Sequence, residues 1–302
     1  MRALLFLLLP LSAYAEAPDF LPDAAFFIAL EEGRLSTDNV RAPEPVAISS
    51  AGPVDKAFVL VMENLNGALP QSYVEAAFKD PEVRIEPRVV ELINKPAEQL
   101  TYEQYRKIFI TEARISAGVE FLKTQQGLLT SVDNSYKVEP GVLVGIVGVE
   151  TFYGRAKGSF KVFNALYTII HEVPKREKWA VKELAQYLLY CDKNGIAPLS
   201  VMGSYAGAFG HGQFIPSSHN HYAVDFDGDG SADPYGWPDV FASVSNYLVK
   251  NGYKQGSSDY SPGSPNWNAI FAYNHSENYV KVVIELRQEI LARYGQLVSS
   301  AR

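Results

Sequence analysis

Residues 141–149, GVLVGIVGV, limit the fold of this chain more than any other stretch, because none of them carries a polar side chain. An element without a polar face has no side to give to water and belongs in the interior. Pro140 suits a first helical turn and Gly154 a helix stop. The valines and glycines favour a strand by propensity, so composition leaves helix and strand both open. If the element is a helix, Gly141, Gly145 and Gly148 let its neighbours come close. Glu150 follows directly, two residues before the aromatic pair Phe152 and Tyr153. Desolvation disfavours the charged form of a carboxyl group. Glu150 is therefore a candidate acid, able to hold a proton near neutral pH and hand it to a leaving oxygen. The plainer alternative is a glutamate at the exposed end of a buried helix.

A second local pattern is Asp225-Phe-Asp227-Gly-Asp229-Gly-Ser231-Ala-Asp233. Oxygen donors at positions 1, 3 and 5 with glycine at 6 match the opening of an EF-hand-like calcium loop. Alternate side chains converge on one point, Gly230 makes the sharp turn, and the Ser231 carbonyl can add an oxygen. Position 12 should be a bidentate Glu, but it is Gly236. The nearest acid beyond it is Asp239, so the expectation is a stretched loop, 225–239, closed by Asp239. Hard oxygen donors favour Ca2+ over zinc. The alternative is an acidic, glycine-rich surface turn. With three Met in the whole chain, the initiator included, a structural ion fits better than a sensor with a Met-rich groove. His211, His219 and His221 lack the i, i+4 helical spacing of a zinc pair, and Ser204 in GSYAG lacks the glycine two residues earlier that a nucleophile elbow needs.

The first fifteen residues, MRALLFLLLPLSAYA, read as a signal peptide cut after Ala15: one Arg, a short apolar run, then small residues. No cysteine follows the run, so the lipoprotein signal is absent and the mature chain is expected to be exported, periplasmic or secreted, without a transmembrane anchor. The single cysteine, Cys191, excludes an internal disulfide. A net charge of −7 with no basic run argues against nucleic acid. Eighteen Tyr and sixteen Phe serve mostly as core, but a groove lined with them also suits sugar faces.

Residues 16–55 read as an arm, and 56–65 as a buried element of either type. Thr101 and Gln104 form a capping-box pair, and Ile108, Ile115, Val119 and Leu122 predict one helix continuing to about Leu129. Further helices are expected over Trp179–Lys193, from an Asp239 cap to Asn251, and after a Ser276 cap, with loops at 196–238 and 253–269. The reading is mainly α.

Between these elements lie two longer blocks, GSYAGAFGHGQFIPSS at 203–218 and YAVDFDGDG at 222–230. With GVETFYG upstream, FASVSNYLVKNGY after the loop and AYNHSENYV near the end, the order resembles the membrane-bound lytic transglycosylase B family over roughly residues 75–294. The resemblance implies a lysozyme-like catalytic domain at 131–302, with the calcium loop at 225–239 and an additional helical region at 56–130. It implies Glu150 as catalytic acid/base, with Ser204, Gln213, Tyr247, Tyr273 and Asn274 lining a groove for peptidoglycan glycan strands. It also implies Asp225, Asp227, Asp229, Ser231 and Asp239 as calcium positions. Phe209 and Ile215 stand where the family usually has Met, and His219 where an aromatic is common. The implied reaction is lytic cleavage of the MurNAc–GlcNAc bond with a 1,6-anhydro product. The alternatives are a hydrolytic muramidase on the same scaffold and a non-catalytic, calcium-stabilised wall-binding protein.

Overall fold

The computed structural model describes residues 46–47, 55–94 and 100–300; the expected signal peptide and most of the expected arm lie outside the described residues. The helices in order are α1 (Lys56–Leu65), α2 (Gln71–Phe78), α3 (Pro87–Ile93), α4 (Tyr102–Phe109), α5 (Glu112–Thr124), α6 (Gln126–Tyr136), α7 (Pro140–Thr151), α8 (Val162–Glu172), α9 (Glu177–Lys193), α10 (Pro216–Tyr222), α11 (Trp237–Lys250), α12 (Pro265–Tyr273) and α13 (Glu277–Ser300). Two-residue strands pair antiparallel, β1 (Val46–Ala47) with β2 (Arg84–Ile85) and β3 (Phe160–Lys161) with β4 (Met202–Gly203).

The apolar run is a helix, α7, buried from Gly141 to Thr151. Helix wins over strand propensity because its neighbours are helices whose backbones come close. A Cβ on Gly145 would stand 2.9 Å from the Val283 carbonyl oxygen of α13. The core around it is continuous from Ala57 on α1 to Ile290 on α13.

The single helix expected from Thr101 to Leu129 is instead three. The capping box at Thr101 and Gln104 forms, but α4 stops at Ile110. Thr111 then turns extended (ψ 150°), and its hydroxyl accepts the Arg114 amide at 3.2 Å, starting α5 afresh. Ile115, Val119 and Leu122 still share one buried face because all three fall within α5. Asp239 is not the cap of α11 either. Gly236 holds that place, and Asp239 lies inside the first turn. The expected loops at 196–238 and 253–269 contain α10 and the start of α12.

One interaction at the start of the described fold carries a pH dependence. Asp55 caps α1 by accepting the Phe58 amide at 3.0 Å, and the Tyr167 hydroxyl of α8 donates to it at 2.6 Å. His171 stands 3.6 Å away. Burial raises the pKa of this carboxyl, but the nearby His171 and the hydrogen bonds from Tyr167 and Phe58 outweigh it and hold the group at about 2, below its ordinary 3.8. The folded value is the lower one, so the stabilisation is present above pH 4 and is lost as pH falls from about 4 to about 2. For a half-exposed group, solvent screening leaves about 1–2 kcal/mol. Acid unfolding of wild type and Asp55→Asn should show a stability gap that narrows over that window. A gap independent of pH would exclude Asp55 as the cause.

Candidate active site

The C-terminal end of α7 unwinds through three consecutive left-handed residues, Phe152 (φ 49°), Tyr153 (φ 60°) and Gly154 (φ 79°). Only glycine fits at the third. A Cβ there would meet His211 Cε1 at 2.9 Å and Trp237 at 3.0 Å. Thr151 fastens the turn from both sides: its hydroxyl accepts the Gly154 amide at 3.1 Å and lies 3.1 Å from the His211 carbonyl, to which it donates. Below the turn is the buried guanidinium of Arg114 from α5. It donates to the carbonyls of Gly148 and Val149, and lies over the rings of Phe109 (5.2 Å) and Phe152 (4.8 Å).

Glu150 sits at this end of α7 and is only 4% exposed. The Tyr279 hydroxyl of α13 donates to its Oε1 at 2.7 Å. The Tyr273 hydroxyl donates to the Gly212 carbonyl. Burial, and after it the neighbouring Glu150 and Tyr247, push the Tyr273 phenol well above its ordinary pKa. Tyr273 is thus the hub of the site. Its ring packs on Tyr247 at 5.0 Å and Phe214 at 5.5 Å, and Tyr247 donates to the Ala272 carbonyl at 2.6 Å.

Gln213, next to Gly212, is held left-handed (φ 50°), and its Nε2 donates to the Gly210 carbonyl at 2.8 Å. Its Oε1 is buried without a protein partner, and so is Oδ1 of Asn274, which follows Tyr273. Tyr273 thus links Tyr247 and the Gly212–Gln213 segment and lies near Glu150, and Asn274 adjoins it in the chain. Ser204 is different. It is 1% exposed, and its hydroxyl accepts the amides of Ala206 (3.2 Å) and Ala208 (3.1 Å), shaping its own turn. His219, in the position of a common aromatic, packs among Tyr190 and Phe209 as an aromatic would.

Sequence reasoning missed Tyr279, Arg114, Thr151 and His211. Tyr279 lies inside the AYNHSENYV block, but no spacing rule marks it. A cavity of about 370 Å³ lined by Tyr102, Tyr260, Trp267, Lys281 and Glu285 lies elsewhere, and Glu150 is not among its walls. Lys281 lies over its Tyr102 ring and Arg287 over its Tyr260 ring.

In the acidic loop, carboxylate oxygens of Asp225, Asp227 and Asp229 lie within 4.8 Å of one another. Gly228 (φ 77°) and Gly230 (φ 97°) supply the turns between them. Asp225 accepts the amides of Gly228 (2.8 Å) and Gly230 (2.9 Å), and Asp229 accepts that of Ser231 (2.9 Å). Asp239 is buried, and each of its oxygens takes one loop amide, Phe226 at 2.7 Å and Asp233 at 2.8 Å. It ties the two ends of the loop together and stands outside the group of three. Three gathered, exposed carboxylates are a donor set that fits a hard cation such as Ca2+.

The family model described as "Transglycosylase SLT domain" matches residues 60–262. The membrane-bound lytic murein transglycosylase B of Escherichia coli (strain K12) is 38% identical over 169 residues, covering 54% of this chain and 47% of that protein. The chain thus spans about half the length of this curated relative. The crystal structure of soluble lytic transglycosylase SltB1 from Pseudomonas aeruginosa superposes with a TM-score of 0.73 at 31% identity, covering 80% of this chain and 99% of that one. Escherichia coli lytic transglycosylase Slt35 in complex with calcium gives 0.73 at 25% identity, covering 82% and 96%. The mainly helical fold is therefore shared with lytic transglycosylases, and the chain belongs to the transglycosylase SLT domain family.

Proposed function

We propose that the chain is a lytic transglycosylase that cleaves the MurNAc–GlcNAc β-1,4 bond of peptidoglycan, with Glu150 as its acid/base. The observation that carries this reading is the Glu150 carboxyl, 4% exposed, with the Tyr279 hydroxyl on one oxygen. Two opposed effects act on its proton. Desolvation disfavours the charged form, and the phenol donor favours the carboxylate that forms once the bond has broken. One group can then serve first as acid and next as base. Glu150 protonates the glycosidic oxygen while the substrate acetamido group supports the oxocarbenium-like centre. The carboxylate then takes the proton of the C6 hydroxyl as that oxygen closes on C1, and no water is consumed. The unspent acceptors on Gln213 and Asn274 suit sugar hydroxyls or an acetamido N–H, and the Tyr247–Tyr273–Phe214 cluster suits a pyranose face. With a net charge of −7, the protein gains no long-range attraction to an acidic wall, so affinity rests on these contacts.

Mass analysis of fragments released from purified sacculi tests the reaction. Anhydro ends, one water lighter than reducing ends, support it, whereas reducing ends assign a hydrolytic muramidase. Binding with no release assigns a wall-binding module.

Asp225, Asp227 and Asp229 are proposed to hold a structural Ca2+, with the Ser231 carbonyl as a further donor and Asp239 as the tie that closes the loop. The calcium complex of Slt35 supports the choice of ion. An ion bound only by the folded state, at about 100 times its dissociation constant, adds about 2.7 kcal/mol. Chelation of calcium-loaded protein should then lower Tm by about 4–5 °C in differential scanning calorimetry. An unchanged Tm returns the loop to a surface turn. Export through the 1–15 segment fits a wall substrate, and among the described residues no helix is long and apolar enough to cross a membrane. In this reading residues 131–302 carry the chemistry and the helices of 56–130 brace it.

A further inference from the structure

Segment 210–213 lies between the acidic loop and the catalytic end of α7 and is bonded to both. On the loop side, the His211 amide donates to the Pro234 carbonyl at 2.8 Å, one residue beyond the Asp233 amide that Asp239 holds. The His211 ring stacks on Trp237 (4.4 Å, 22° between planes) and meets Tyr235 edge-on (5.5 Å, 90°). Gly210 lies against Pro234, where a Cβ would have 2.6 Å. On the catalytic side, the His211 carbonyl accepts the Thr151 hydroxyl at 3.1 Å, and the Gly212 carbonyl accepts the Tyr273 hydroxyl. The His211 ring also covers Gly154.

This segment holds a residue in a costly conformation. Gln213 is a non-glycine at φ 50°, a strained state that persists only where neighbours over-determine it. Its buried, unpartnered Oε1 is in place for a ligand only while that conformation holds.

We infer that His211 is a positioning residue that couples the acidic loop to the glycan site: a cation in the loop and a glycan beside Glu150 favour the same placement of residues 210–213. The inference rests on the calcium and glycan readings above. A cation fixes 225–233, Asp239 passes that order to Pro234 and Trp237, and the stacked ring of His211 carries it to Thr151 and Gln213. Coupling of two binding sites is reciprocal, so each ligand must strengthen the other by one factor, about fivefold or more for couplings of ordinary size.

The test uses the full chain carrying Glu150→Gln, which prevents turnover. Calcium is titrated calorimetrically with and without a saturating GlcNAc–MurNAc tetrasaccharide, and the tetrasaccharide is titrated with and without calcium. The expected result is one factor of about five or more in both directions. Adding His211→Ala should bring the factor to about one with both ligands still bound, and His211→Phe, which keeps the stack, should restore most of it. A factor of one in the Glu150→Gln protein, or an undiminished factor in the His211→Ala protein, overturns the inference while both binding readings stand. Absence of calcium binding or of glycan binding overturns the corresponding reading and the coupling together.

Discussion

Glu150→Gln is expected to slow lysis of purified sacculi by at least about a thousandfold while leaving glycan binding within a few-fold. The amide keeps the shape of the carboxyl, and its oxygen can still accept from Tyr279, so the site keeps its geometry. What it loses is a proton that can leave and return. General acid–base catalysis contributes about 10²–10⁴ in rate. Here one group is asked for both steps, which places the expected loss in the upper part of that range. A thousandfold is about 4 kcal/mol of transition-state stabilisation. Folding stability should not fall, because a neutral isostere replaces a buried ionisable group. Turbidity loss of sacculi gives the rate, and pelleting with sacculi gives the binding. Lysis within tenfold of wild type would remove Glu150 from the chemistry. Tyr279→Phe makes a graded companion: the carboxyl remains but loses its donor, so the rate should drop by about tenfold, a neutral-to-charged hydrogen bond's worth.

Local spacing made part of this site legible, and through-space contacts hid the rest. Asp225, Asp227 and Asp229 could be read because they alternate along one short stretch, and their oxygens do lie together. Asp239 was legible as the closing acid, but its task was not. Whether a carboxylate meets an ion or two amides depends on where Phe226 and Asp233 place their N–H groups. Glu150 stood out because its neighbours are apolar, yet helix or strand was decided by the approach of α13 to Gly145, which no propensity encodes. The resemblance named Ser204 by position, but could not reveal that two amides of its own turn already occupy its hydroxyl. Tyr279 and Arg114 reach the end of α7 from 129 and 34 residues away in the chain, and neither leaves a local mark. The break at Thr111 was hidden for a related reason. A threonine inside an apolar period looks the same whether its hydroxyl faces solvent or caps the next helix.

Arg114→Met should destabilise the fold by about 3–5 kcal/mol, the range for removing one member of a buried, charge-assisted network. The last carbonyls of a helix have no intrahelical donor and carry the negative end of its dipole. In α7 those of Gly148 and Val149 are buried, and the Arg114 guanidinium meets them. Its flat face also lies near Phe109 and Phe152, whose rings attract a desolvated cation. Methionine fills much of the volume but donates nothing, so two buried carbonyls lose a charged donor and the Phe152 ring loses the cation against its face. In a chain of this size the drop in Tm should be about 5–8 °C. Arg114→Lys should recover only part of it, since an ammonium lacks the flat face that lies against Phe109 and Phe152. Activity should fall in both variants even at temperatures where they remain folded, because Glu150, the proposed acid/base, is the next residue along from Val149. Circular dichroism melts set beside sacculus lysis at 20 °C separate the two effects. A Met variant that melts like wild type would mean that water or backbone rearrangement satisfies the end of α7 without Arg114.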